Sequence, residues 1–272
     1  MKLVVELVPS EHFETRLNGR VLEAAIGAKV NNAAVLAGLD PQLVAKSSVR
    51  ITTAIPVASG LGSSAALCVA LATLARDVSS PDSLEADERR EIFKAAHRAE
   101  GVFHGRSSGA DPAGALSDAP VLYHAEGTRI ETFEAAAGAP YVWGLLPSGV
   151  ERSTARVIST LVEAREEALM ASLIDVSARI PSLLQGGDWT ALPAALEEAG
   201  HLHREMGLVN EALEKVFARM RAEGAVATKL TGAGRGGFAL GLYPLERARA
   251  LSPKSEHLLV PLRGNKQASS DR

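Results

Sequence analysis

IPVASGLGSSAALCVALATLA, residues 55–75, is the stretch on which the reading of this chain turns. Residues 48–55 alternate through Val49, Ile51 and Ala54, which predicts a strand. Pro56 and Gly60 open a loop, and residues 67–75 are almost wholly apolar, which predicts a helix buried on most sides. Gly60, Gly62, Ser63 and Ser64 therefore stand between a strand and a helix N-terminus. Glycine permits close backbone approach and unusual dihedral angles. A helix start offers unpaired N–H groups and the positive end of the dipole to an anion. Ser63 and Ser64 add hydroxyls suited to phosphate or magnesium. A tight strand-to-helix turn that needs glycine for geometry alone accounts for the same residues about equally well.

A second glycine-rich stretch, KLTGAGRGGFALGL, occupies residues 229–242. Gly232, Gly234, Gly236 and Gly237 fall within six residues, between predicted strands 225–230 and 238–242. A plain hairpin needs one or two glycines, and each further one adds conformational entropy to be lost on folding. Backbone approach to an anion explains the excess. Lys229 and Arg235 are its candidate cationic flanks.

Between the two loops lies RAEGVFHGRSSGADPAGAL, residues 98–116. Residues 85–102 have strong helix propensity, with Ile92, Ala96, Ala99 and Phe103 on the inner stripe. Glu100 is four residues from Ala96, close to that stripe, where a carboxylate is costly unless paired or bound to a cation. Asp111 follows a Gly/Ser-rich run and is placed to enter a cleft. The blander reading is that it caps a helix beginning at Pro112.

The rest of the chain bounds these readings. Its 272 residues are 46% hydrophobic and 22% charged, with net charge −3, so no basic footprint for nucleic acid or an anionic membrane is present. No apolar run approaches a transmembrane length, and the N-terminus lacks the zones of a signal peptide. Cys68 is the single cysteine, which rules out an intrachain disulfide and a thiolate cluster. A cytoplasmic location is expected. Further expected elements are a strand at 2–7, helices at 20–37, 153–175, 189–199 and 210–223, and strands at 142–146 and 257–262. Helices and strands mix without a regular βαβ repeat, so the expected class is α+β. A domain boundary is expected at 144–149, giving domains 1–146 and 147–272.

Two familiar patterns are set aside. GLGSSA satisfies a loose dinucleotide fingerprint but lacks a βαβ setting. GRSSG, residues 105–109, satisfies a nucleophile-elbow pattern, but a helix precedes it where a strand is required.

Taken together, the loops resemble the second and third motifs of the GHMP kinases. Ala99, Glu100, His104, Gly105, Ser108, Gly109 and Asp111 resemble the pattern of that family's mevalonate kinase branch. The resemblance implies an N-terminal domain like ribosomal protein S5 domain 2 and a ferredoxin-like C-terminal domain. It implies ATP-dependent phosphorylation of mevalonate, hence a place in isoprenoid biosynthesis, with ATP and Mg2+ required. Asp111 would be the catalytic base, and Ser64 (with Ser63 as the alternative) and Glu100 the metal ligands. Gly60, Leu61, Gly62, Ser63, Ser64, Ala65, Gly232, Ala233 and Gly234 would hold the nucleotide. His104, Gly105, Ser108 and Thr154 would lie on the substrate side. The implied partner is a small alcohol, with a homodimer left open, and neither nucleic acid nor membrane. The family's Pro-Gly-Lys motif is absent, and Pro9, Ser10, Glu11 and His12 only echo what normally follows it. Phosphomevalonate kinase, homoserine kinase and a ligand-binding pseudokinase are therefore the alternatives.

Overall fold

The structure is a computed structural model, and it describes residues 2–11, 13–57, 60–78, 85–105, 107–124, 129–150, 164–232, 234–251 and 256–262. The chain divides into two compact units, Met1–Val57 with Gly62–Thr132, and Ala58–Leu61 with Phe133–Arg272.

The first unit begins with β1 (Leu3–Pro9), β2 (Glu14–Leu17) and β3 (Arg20–Val21). Asn18 and Gly19 join β2 to β3 with φ of 48° and 82°. Two positive values in a two-residue Asn-Gly loop define the turn whose twist matches that of the paired strands. This hairpin takes the place of the first turn of the helix expected from residue 20. Helix α1 runs Ala24–Leu36, followed by α2 (Pro41–Ala45) and β4 (Ser47–Thr53). The sheet order is β1-β4-β2-β3, with β4 antiparallel to β1 and parallel to β2. Val49 and Ile51 of β4 point into the core, while Arg50 and Thr52 are exposed on the other face. That alternation is what a sheet covered on one side requires.

Helices α3 (Ser63–Leu74), α4 (Ala86–His104) and α5 (Ala110–Ala115) pack against one another. Seven of the twelve residues of α3 are buried, as its apolar sequence demands. At the start of α4, Glu85 and Glu88 form a reciprocal capping box, and Asp87 and Glu88 complement the helix dipole. The unit closes with the hairpin β5 (Val121–His124) and β6 (Arg129–Thr132).

The second unit contains β7 (Tyr141–Pro147), α6 (Ala164–Gly186), α7 (Leu192–Glu205), α8 (Glu211–Ala222), β8 (Ala227–Leu230), β9 (Phe238–Pro244), α9 (Leu245–Ala250) and β10 (Leu258–Pro261). Its sheet order is β10-β7-β9-β8, and all three pairings are antiparallel. Numbered within the unit, this strand order is that of a ferredoxin-like sheet.

Strand β8 lies at the sheet edge, where an unpaired N–H needs a partner. The Thr228 N–H donates to Glu197 Oε1 of α7 at 2.6 Å. A Cβ at Gly200 would sit 2.5 Å from the Thr228 carbonyl oxygen, so glycine there is what lets α7 approach the edge.

Three sequence expectations shift. The units part between Thr132 and Phe133, whereas the sequence reading places a boundary at 144–149; β7 takes up residues 144–147 of that stretch and is bonded to β9 along its whole length. The helix expected at 189–199 begins at Leu192, because the Asp188 side chain accepts from the Ala191 N–H and holds a turn ahead of it. Of the helix expected at 153–175, residues 153–163 lie outside the described residues, and the described part continues to Gly186.

Candidate active site

Gly60 and Gly62 have φ of 78° and 71°, and Gly62 is the residue from which α3 starts. No side chain caps this helix. A Cβ built on Gly62 would meet nothing within 4 Å among the described residues, which leave the space above the glycine open. Leu61, Ser63 and Ser64 are half-buried and Ala65 is fully buried, so the first turn of α3 passes from the surface into the core.

Ser64 Oγ lies 2.9 Å from His104 Nε2 at the end of α4, which joins a residue of the glycine loop to one on the predicted substrate side. Gly105 ends α4 with φ of 74°, and its N–H donates to the Gly101 carbonyl.

Glu100 projects from α4 and is only 2% exposed. Burial raises its pKa above the ordinary carboxylate range. The hydrogen bond from Ser107 opposes that rise, the Asp111 charge adds to it, and His97 lowers it. Ser107 donates its hydroxyl hydrogen to Glu100 Oε2. Ser107 Oγ in turn accepts the Gly109 N–H at 3.1 Å, and the Ser107 carbonyl lies 3.1 Å from His97 Nε2. Cys68 on α3 is fully buried near this carboxylate, and burial followed by the Glu100 charge pushes its thiol far up, so it is inert.

Asp111 is exposed in the first turn of α5. It is not the helix cap. Gly109 holds that position with φ of 87°, and no side chain caps the helix. A Cβ at Gly109 would overlap the Tyr123 hydroxyl and lie 2.9 Å from Tyr123 Cζ, so this glycine is fixed by packing. Ser108 is exposed and its Oγ accepts the Ala110 N–H at 3.3 Å.

The first unit thus gathers Gly62, Ser63, Ser64, Glu100, His104, Ser108 and Asp111 around the packed ends of α3, α4 and α5. Thr154 and Ala233 lie outside the described residues. Sequence reasoning missed Ser107, His97 and Tyr123. The adjacent serines of Ser107–Ser108 were visible, but the family resemblance singled out only the second.

Gly232 and Gly234 belong to the β8–β9 loop of the second unit, with φ of 62° and 86°. The loop is tied through its backbone N–H groups to other segments: Arg235 N–H donates to the Leu208 carbonyl at 2.7 Å, and Gly237 N–H to the Val150 carbonyl at 2.9 Å. At the end of β8, Lys229 Nζ donates to the Leu230 carbonyl at 2.9 Å, and burial pulls its amine down to about 8.

The described residues hold no cluster of three or more His, Cys, Asp or Glu side chains able to cage a metal. Magnesium does not ask for one. It retains waters and is bound by one or two carboxylates together with substrate phosphates. The oxygen donors Ser64 and Glu100 fit that hard cation. No described helix is long and apolar enough to cross a membrane.

Comparison with known proteins gives this arrangement a context. Residues 22–118 match the profile of the GHMP kinases N terminal domain, and residues 180–254 that of GHMP kinases C terminal. The chain is 29% identical over 206 residues to a mevalonate kinase of Aeropyrum pernix, covering 74% of this chain and 62% of that protein's length. Its fold is similar to that of the L. major mevalonate kinase solved with R-mevalonate, with TM-score 0.72 and 21% identity over 97% of this chain and 87% of the other. The fold is also similar to that of the Streptococcus pneumoniae phosphomevalonate kinase solved with phosphomevalonate and AMPPNP, with TM-score 0.70 and 14% identity over 91% and 84% of the two chains. The first profile falls in the first unit apart from residues 58–61, and the second profile falls in the second unit, on a mixed α and β architecture of two parts, and the chain belongs to the GHMP kinase family, close to its mevalonate kinases.

Proposed function

We propose that this protein transfers the γ-phosphoryl group of ATP to the hydroxyl of a small alcohol, and that the alcohol is mevalonate. The observation that carries the reading is the meeting, within one unit, of an open glycine-led helix start with a buried carboxylate on α4 and an exposed carboxylate on α5. The N–H groups after Gly62 would bind phosphate oxygens, where the dipole of α3 favours negative charge. Ser64 and Glu100 would hold magnesium, which supplies charge neutralisation on the phosphates. Asp111 would orient the alcohol and take its proton as the new P–O bond forms and the bond to the leaving diphosphate breaks. The resemblance to mevalonate kinases favours mevalonate over phosphomevalonate and homoserine as acceptor.

Magnesium-dependent ADP release with mevalonate, phosphomevalonate and homoserine tests this directly. Turnover is expected with mevalonate. Turnover with one of the others alone would move the chain to a different acceptor. Silence with all three, with ATP binding intact, would replace the reading by a ligand-binding pseudokinase.

A further inference from the structure

Ser107 belongs to none of the motif positions by which the chain resembles its family, yet it makes the most connected set of bonds in the candidate site. Its hydroxyl donates to Glu100 Oε2 and accepts from the Gly109 N–H at 3.1 Å. Its carbonyl lies 3.1 Å from His97 Nε2, one turn before Glu100 on α4. One oxygen therefore links a buried side chain of α4 to the residue that starts α5, and α5 carries Asp111.

We propose that Ser107 is a positioning residue that fixes Glu100 in a single orientation for a divalent cation and ties that orientation to the start of the helix bearing Asp111. The proposal rests on the kinase reading above and adds a residue to it.

The physical case has three parts. A carboxylate with 2% exposure has little water to orient it, so its rotamer is set by whatever protein donor reaches it. Ser107 supplies that donor, and a hydrogen bond to a charged group is stronger and shorter than a neutral one. Its free use of the hydroxyl is also restricted: the Gly109 N–H occupies a lone pair, which aims the hydroxyl hydrogen toward Glu100. Gly109 itself has little latitude, because Tyr123 and His97 pack against the place a Cβ would fill, so the anchor is stiff. Groups that hold a metal ligand from behind in this way typically change metal affinity by about 10–100-fold when removed.

Three variants test the idea: Ser107→Ala, Ser107→Thr and Glu100→Gln, with the Ser107→Ala/Glu100→Gln double variant completing a cycle. Two readouts are taken, thermal melting without ligand and calorimetric ATP binding across a magnesium titration. Ser107→Ala should remain folded, bind ATP without magnesium as the parent does, and need about tenfold more magnesium for half-maximal tightening. Ser107→Thr, which keeps the hydroxyl, should restore most of that loss. In the cycle, the double variant should melt close to one of the single variants, because both changes break the same bond. Additive melting shifts would overturn the link between Ser107 and Glu100. A parent-like magnesium titration in Ser107→Ala, with non-additive melting, would reduce Ser107 to a structural bond. If the parent chain itself shows no magnesium-dependent ATP binding, the kinase reading fails first, and the positioning role falls with it even where the cycle shows coupling.

Discussion

The two glycine-rich loops look alike in sequence and differ in what holds them. At Gly62 a side chain would project into open space, so only backbone dihedral strain and whatever binds there set the requirement for glycine. At Gly234 a Cβ would stand 2.5 Å from the Leu208 carbonyl oxygen and 2.9 Å from Leu208 Cβ, so the fold itself requires glycine. The surroundings differ in charge as well. The first loop leads into helices that bury an acid, Glu100, whose pKa is raised. The second is entered from a strand carrying Lys229, whose pKa is lowered, beside the buried His203. Part of the glycine excess that the sequence attributes to an anion thus has an internal cause. In the first loop, Gly62 meets no described neighbour that would explain the glycine by packing.

The largest effect expected from this contrast lies in the first unit, at Asp111. Asp111→Asn should lower the rate of ADP release by about 10²–10⁴-fold, the usual contribution of general-base catalysis, with a much smaller change in the Michaelis constant for the alcohol. Steady-state kinetics with mevalonate read both. A variant that retains its rate would remove Asp111 from the chemical step.

Gly234→Val should act on stability. Both the positive φ and the contact with Leu208 oppose a side chain, and the combined cost is about 2–4 kcal/mol. Urea unfolding measures it. An unchanged midpoint would mean that the loop yields easily, and the contrast with Gly62 would then lose its basis.

His203 makes the second unit sensitive to acid. It is 7% exposed, and burial, helped by the Lys229 and Arg204 charges, holds its pKa near 4 against an ordinary 6.5. Between those values the unfolded chain takes up a proton that the folded chain refuses. Stability is therefore fully present above pH 6.5 and is lost as pH falls toward 4, by about 3 kcal/mol at most. His203→Gln should flatten that part of the stability–pH curve in unfolding experiments. An equally steep curve in the variant would assign the acid sensitivity to other groups.

Gly62→Ala is expected to give the smallest change. The left-handed dihedral costs about 1 kcal/mol with a Cβ present, and no neighbour adds to it. ATP affinity should fall by about tenfold, or 1.4 kcal/mol, as the methyl group enters the space above the helix start. Calorimetry beside a melting curve separates the two effects. Loss of stability without loss of affinity would make this glycine, like Gly234, a requirement of folding alone.

Much of the fold was legible because its signals are local. The alternation of β4, the apolar run of α3 and the inner stripe of α4 are set by period and composition, and the structure places them within a few residues of expectation. The Asn18–Gly19 hairpin was equally local and was overlooked, since the apolar spacing beyond it favoured a helix starting sooner. The domain division was not local. Whether 141–147 ends one unit or begins the next depends on β9, nearly a hundred residues later, to which β7 is paired.

The sequence by itself determined the family, through the resemblance of its motifs, and singled out the two glycine loops and the acidic residues Glu100 and Asp111 as candidates. Only the tertiary structure decided that Glu100 is almost fully buried, that Gly109 rather than Asp111 holds the cap position of α5, and that Ser107 joins Glu100 to Gly109. It also separated a glycine with open space from one wedged against Leu208. The physical reason is the same in each case: burial, packing distance and hydrogen-bond partnership are properties of segments that meet after folding, and the order of residues along one segment does not contain them.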